Sequence, residues 1–335
     1  MLLPFRSVRR LAGATLALCI LAFGSTSTFA AGTLKIGTVV WIGYGPFYVA
    51  EALDLYKKHG AKVTLQFFTD PALIPPAIAS GSVDGGMLTY DQVIGQVAQS
   101  IPMKVVMPID YSNGGDAIVA SKDIAKVADF KGKKVAYNPL SPSDFLLAYA
   151  LQVNKMSEKD IQPVNMTPEA IPAAMASGSL PVGVTYEPNV SQITGMDGGG
   201  RFHVVYSSKD APGLITDVLV FKPEYIKANP KEITAIMRGY LDGMVYMKQN
   251  PDEAAKLIGK AMGVSAEEVK EQLTGVHNIP LADMQKNFAK SKDTTSLHAS
   301  GAVIGKILIA NGQIKKTPPI EETYDDSLVK GLTRK

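Results

Sequence analysis

The sequence predicts an α/β protein of two lobes, each a mainly parallel sheet flanked by helices, with two crossover strands at the hinge. Three observations predict it. Strand-like and helix-like segments alternate along the chain, the pattern of parallel sheets covered by helices. A phrase is repeated: Pro75, Ala77, Ala79, Ser80, Gly81, Ser82 and Gly86 recur 97 positions later as Pro172, Ala174, Ala176, Ser177, Gly178, Ser179 and Gly183. Two apolar, β-like segments, 117–121 and 217–221, bracket the middle of the chain, where it would leave one lobe and return to it.

The elements follow in order. Residues 33–40 are β-branched and apolar, a strand, and 47–59 have helical spacing up to Gly60. A second strand spans 62–68. Asp70-Pro71 opens a helix, with aspartate as N-cap and proline in the first turn. Residues 86–89 form a short buried strand, 90–99 a helix and 103–109 another strand. The pattern then restarts: a polar turn at 129–134, a strand at 135–137, and a helix opened by Ser141-Pro142-Ser143-Asp144 and running to Val153. The second copy of the phrase gives a helix over 168–177 and a strand over 182–186, and 202–206 is one more strand. After 221 the spacing is helical throughout: 230–250, 251–262, 265–273 and 297–311. Lobe one is expected to comprise 31–118 and 219–335, and lobe two 119–218.

Residues 1–30 stand apart. Arg6, Arg9 and Arg10 precede an apolar run over 11–23, and Thr28-Phe29-Ala30 ends in a small residue, the pattern of a cleaved secretory signal peptide. The only cysteine, Cys19, follows Leu18 inside that run and lacks the setting of a lipid anchor. The mature chain would then contain no cysteine, hence no disulfide and no thiolate chemistry. Removing the three signal arginines from the 34 basic residues leaves 31, equal to the 31 acidic ones. That balance argues against nucleic acid or an anionic membrane as partner.

Catalytic signatures are missing. There is no G-x-S-x-G, no P-loop, no H-E-x-x-H and no G-x-G-x-x-G after a strand, and His59, His203, His277 and His298 lack ligand spacing. No catalytic residue, metal or cofactor is expected. Binding signals are richer, because helix N-termini beside strand ends are where open parallel sheets take ligands. Trp41-Ile42-Gly43-Tyr44-Gly45-Pro46 is a rigid turn with two aromatic rings, Trp41 and Tyr44. Asp110-Tyr111-Ser112-Asn113-Gly114-Gly115-Asp116 follows a strand directly and offers Asp110, Asn113 and Asp116. Ser141 and Ser143 cap a helix. Each copy of the repeat ends in Thr-Tyr-acid, with a one-residue slip, offering Tyr90 and Asp91 from one lobe and Tyr186 and Glu187 from the other. Asp217 stands at the second crossover.

The phrase Trp41-x-Gly43-Tyr44-x-Pro46-Phe47-Tyr48-x-Ala50, with Leu55-Tyr56 downstream, resembles the opening of nitrate/sulfonate/taurine-type solute-binding proteins of ABC importers. Residues 110–119 look like that family's first hinge, Asp129-Phe130-Lys131-Gly132-Lys133-Lys134-Val135-Ala136 like the signature opening its second lobe, and Glu187-Pro188 like its second-lobe W/Y-x-P element. The resemblance covers essentially the whole mature chain. It implies the type II periplasmic binding protein fold, a periplasmic location, no enzymatic activity, a small-molecule solute, an inner-membrane ABC permease as partner, and action as a monomer. Alkanesulfonate or pyrimidine (thiamin-precursor) binding and a sensory role share the fold and remain alternatives.

The residues themselves point to one class of solute. A sulfonate or nitrate wants arginine, lysine or free N–H donors, and the candidate loops contain no basic side chain. They contain Asp91, Asp110, Asp116, Glu187 and Asp217, together with the faces of Tyr44, Tyr90 and Tyr186, which suit a cation. The expected ligand carries an amine, amidine or guanidinium group. An additional acidic group, as in taurine, would be received by helix N-termini near 112–115 and 141–143, and Glu187 is favoured over Asp91 as a contact.

Overall fold

A computed structural model describes residues 33–333; the signal-peptide reading of residues 1–30 lies outside them. Two sheets are present. The first contains β1 (Leu34–Thr38), β2 (Val63–Phe67), β3 (Gly85–Thr89) and β4 (Lys104–Ser112), together with two strands from much later in the chain. The second contains β5 (Asp116–Ser121), β6 (Lys134–Tyr137), β7 (Gln162–Asn165), β8 (Val182–Tyr186) and β9 (Phe202–Ser207). The later strands of the first sheet are β10 (Thr216–Phe221) and β11 (Val276–Asn278).

The sheets have the same plan. The first runs β2-β1-β3-β10-β4, with β11 added at its edge; the second runs β7-β6-β8-β5-β9. In each, three strands are parallel and the fourth is antiparallel to both its neighbours. That fourth strand is in each case the one entered from the other sheet. The chain leaves the first sheet through residues 113–115 into β5, and leaves the second through 208–215 into β10, so β5 and β10 are the paired crossover strands.

The repeated phrase packs helix on strand in both lobes. In the first copy it forms the helix Ile74–Ser80 and runs into β3; in the second it forms the helix Ile171–Ala176 and runs into β8. A Cβ on Gly86 would lie 2.8 Å from Ile74 Cγ2 and 2.9 Å from Ile78 Cδ1; on Gly183, 97 positions on, it would lie 2.7 Å from Met175 Sδ and also collide with Ile171. Glycine at both positions lets the helix approach the sheet closely. Ser80 and Ser177 each donate to the carbonyl three residues earlier, Ala77 (3.1 Å) and Ala174 (2.8 Å), and meet Ser82 and Ser179 at 3.0 Å, closing both helices alike.

Several boundaries differ from the sequence expectation for local reasons. The segment 47–59 is not one helix: Asp54 takes a left-handed conformation (φ 54°), so Gly45–Ala52 ends and a short 3-10 turn, Leu55–His59, follows. The strand expected at 103–109 runs on to Ser112, because β10 and β11 pair with its far end. The chain after 221 is not wholly helical, since β11 is a three-residue strand too short to show a period, and β7 is a further strand at a sheet edge. No helix begins at 112–115, where the sequence places an anion-receiving N-terminus; the segment is the link from β4 to β5. The remaining helices, including Pro142–Val153, Pro230–Gln249, Pro251–Met262 and Leu297–Ala310, lie where their spacing places them. Among the described residues no helix is long and apolar enough to cross a membrane.

Candidate functional site

The strand ends at the crossovers build the site. Along one row of the first sheet, Thr89, Asp217, Asp110 and Asn278 are cross-strand neighbours on β3, β10, β4 and β11. In the second sheet, Asp116 on β5 is paired with Tyr186 on β8. Asp116 and Asp217 are therefore counterparts: each stands at the start of a crossover strand, opposite the last residue of the strand that carries the repeat. Strand pairing aligns Ile36 with Gly85 and Val135 with Val182, which keeps the 97-residue offset through the strand and makes Thr89 the counterpart of Tyr186.

A narrow cavity lies between these ends. Val39, Trp41, Tyr44, Pro71, Ile74, Met87, Leu88, Thr89, Gln92 and Asp217 line it from the first lobe, and Asp116, Pro142 and Tyr186 from the second. Its walls are mostly apolar, with a few convergent polar groups, the usual character of a small-molecule site. The Tyr44 hydroxyl donates to Asp217 Oδ1. Trp41 Nε1 donates to Asp110 Oδ1 (3.2 Å), and its ring meets Tyr186 edge to face, centroids 5.9 Å apart at 88°. This aromatic contact joins the lobes. The Tyr186 hydroxyl and Asp110 Oδ2 are buried and have no hydrogen-bond partner.

Three carboxyl groups, Asp110, Asp116 and Asp217, are buried together at 0%, 3% and 3% exposure, and none makes an ion pair with a basic side chain. Burial raises all three, and the charges of neighbouring carboxylates add to it. Asp116 is pushed up to about 7, with Asp91 and Glu187 contributing and the Ser112 hydroxyl opposing. Asp110 is pushed to about 8 by burial and by Asp116, against the pull of the Trp41 N–H. Asp217 lies well above the ordinary range because of burial and the Asp110 charge. Burial and Asp217 keep Tyr44 protonated. Isolated buried carboxylates are costly, so the group holds protons above the ordinary carboxylate range.

Of the residues singled out in the sequence, Trp41, Tyr44, Asp116, Tyr186 and Asp217 face the cavity together, and Asp110 lies directly behind Trp41. The others are placed differently. Tyr90 begins the helix Tyr90–Ala98 with its side chain turned into the first lobe, its hydroxyl 2.8 Å from Thr323 Oγ1, so it is a packing residue rather than a wall of the site. Asn113 is exposed on the hinge link. Glu187 folds back onto its own helix, accepting from Ser191 N (3.0 Å) and Ser191 Oγ (2.9 Å). It caps that helix and does not line the cavity, contrary to its expected advantage over Asp91. Ser141 is a helix cap, accepting from Ser143 N (3.2 Å) and donating to Asn138 O (2.6 Å). Asp91 and Ser143 are buried beside the cavity, and Asp91 borders a neighbouring one.

Gln92 was not legible as a site residue. Its Nε2 donates to Pro71 O (3.3 Å) in the first lobe and to Leu140 O (3.2 Å) in the second, so it ties the lobes together at the cavity wall. A second tie lies nearby: Gln313 Nε2 donates to Asp144 Oδ2 at 2.7 Å. The hinge is held by Ser208, whose Oγ meets Ser112 Oγ and accepts from Gly114 N, both at 2.7 Å. None of the four histidines lines the cavity, and among the described residues no cluster of three or more His, Cys, Asp or Glu could hold a metal ion.

Comparison with known proteins agrees with this architecture. The chain is 28% identical over 213 residues to the taurine-binding periplasmic protein of Escherichia coli K12, a match covering 62% of this chain and 64% of that protein, just under two thirds of its length. The periplasmic aliphatic sulphonate binding protein SsuA of Escherichia coli superposes with a TM-score of 0.71 at 20% identity, over 89% of this chain and 99% of SsuA. The nitrate-binding protein NrtA of Synechocystis PCC 6803 gives 0.62 at 14% identity, over 88% and 92%. All three are named as periplasmic binding proteins, and the two solved structures share the two-lobed fold. The profile described as "NMT1/THI5 like" matches residues 41–254, and the chain belongs to that family.

Proposed function

We propose that this chain is the periplasmic solute-binding component of an ABC importer, not an enzyme, and that it closes its two lobes around a small solute bearing an amine or guanidinium group. One observation carries the choice of solute. Asp116 and Asp217 face one cavity from opposite sheets, and no lysine or arginine lines it. A cation between them makes favourable contacts with both lobes, and contacts made with both lobes at once are what favour the closed state. The rings of Trp41, Tyr44 and Tyr186 add faces and edges suited to the apolar part of the solute and to its charge. A simple sulfonate or nitrate would enter a wall of carboxyl groups without a basic partner. The family membership and the periplasmic relatives support transport as the role, with an inner-membrane permease as the partner that reads the closed form.

Isothermal titration with an alkylamine, an alkylguanidine and an alkanesulfonate tests this reading. The amine or guanidine is expected to bind, and Asp217→Asn to weaken it by about tenfold or more, the equivalent of roughly 1.4 kcal/mol. Tight binding of the sulfonate, undiminished in Asp217→Asn, would reject it.

A further inference from the structure

Beside the main cavity, and sharing Gln92 with it, a second cavity opens along the seam between the lobes. Asp91, Gln92 and Gln313 border it from the first lobe, and Ser141 and Asp144 from the second. Gln92 belongs to both cavities, so its side chain is their common wall. Asp91 and Asp144 are 96% and 97% buried, and in each Oδ1 has no hydrogen-bond partner. The other oxygen of Asp144 is used twice, by Leu140 N (2.8 Å) and Gln313 Nε2 (2.7 Å). Nothing basic borders this cavity either. Burial raises Asp91 to about 6 against hydrogen bonds from Thr89 and the helix backbone, and burial, followed by the charges of Glu158 and Asp91, raises Asp144 to about 6. Buried carboxyl groups thus continue along the seam from Asp217 and Asp116 to Asp91 and Asp144.

We infer that Asp91 and Asp144 form a second cation subsite and that the solute is a dication, a diamine or its guanidine equivalent, spanning both cavities past Gln92. This rests on the cationic reading of the main cavity and narrows it. The taurine-like alternative fares worse on the same ground: its acidic group, placed at the helix start by Ser141 and Ser143, would face Asp144 in the first turn of that helix and Asp91 across the seam. A second ammonium group instead meets two oxygens that lack donors, one from each lobe, and so adds a second contact that exists only when the lobes are closed.

The test is titration calorimetry on the purified protein with n-butylamine and with α,ω-diaminoalkanes from diaminopropane to diaminooctane. One spacer length is expected to bind about tenfold or more tighter than butylamine. In Asp144→Asn the ratio between that diamine and butylamine is expected to fall toward one. A purely structural role for Asp144 would weaken both ligands together and leave the ratio unmoved, which overturns the inference. Wild-type protein that binds butylamine and every diamine equally also overturns it, and needs no variant. If Asp144→Asn fails to fold, Asp91→Asn is read by the same ratio. Failure of every amine, and of an alkylguanidine run beside them, to bind rejects the cationic reading beneath it, an outcome distinct from equal binding.

Discussion

At the scale of single residues, the acidic groups of the site place stability and binding in opposition. Asp116 holds its proton up to about 7 in the folded chain and Asp110 up to about 8, whereas the same side chains ionise near 4 in an unfolded one. Between those values the folded state binds more protons than the unfolded state, so the stability these groups contribute is full below about pH 4 and is lost as pH rises through 7 to 8. The melting temperature of the ligand-free protein is therefore expected to fall from pH 5.5 to pH 8.5 (roughly the span of these titrations). Asp116→Asn should melt higher than wild type at the alkaline end, by an amount equivalent to about 1–3 kcal/mol, and should flatten the dependence. Scanning calorimetry across pH decides it; a wild-type melting temperature that climbs with pH would refute the assignment. Affinity for a cation runs the other way, since binding requires the carboxylates to be ionised and releases their protons.

At the scale of elements, the two helix-strand units made by the repeat depend on glycine at the point of closest approach. Gly183→Ala drives a methyl group into Met175 and Ile171 and is expected to cost about 1–3 kcal/mol in urea unfolding. Gly95→Ala meets nothing within 4 Å on an ordinary helix and should stabilise by about 0.5–1 kcal/mol. Equal effects of the two changes would count against the packing argument. The repeat was legible in the sequence because these steric demands fix residue types. Its continuation was misleading: matching Thr89-Tyr90-Asp91 with Thr185-Tyr186-Glu187 introduced a slip that strand pairing does not have. Tyr186 ends a strand and faces the cavity, while Tyr90 starts a helix and faces the core. Both are tyrosine, and only the hydrogen-bonded register separates them. The crossover strands were legible as two apolar runs, one following the polar turn that ends in Asp116 and one opening with Asp217. Gln92 was not, because its role lies in reaching Leu140 O, a backbone atom 48 residues away that no local pattern reports.

At the scale of the whole molecule, the ties across the cleft should govern how long a solute stays. Gln313→Ala removes the bond to Asp144 and is expected to raise the dissociation rate of a bound amine several-fold, as the loss of about 0.5–1.5 kcal/mol from the closed state requires. Stopped-flow release measures it, and an unchanged rate would show that closure does not depend on this tie. The geometry of the hinge shows why contacts across the seam matter. Asp116 and Asp217 begin the two strands by which the chain passes between sheets, so these acids sit at the pivot, while Gln92, Asp144 and Gln313 bridge the lobes along the seam. A lever pivoted beside its own sensor converts a change of charge at the pivot into a much larger travel at the mouth. On the proposed cationic reading, repulsion between the two aspartates would act on such a lever as a spring, and a cation held between them would release the tension.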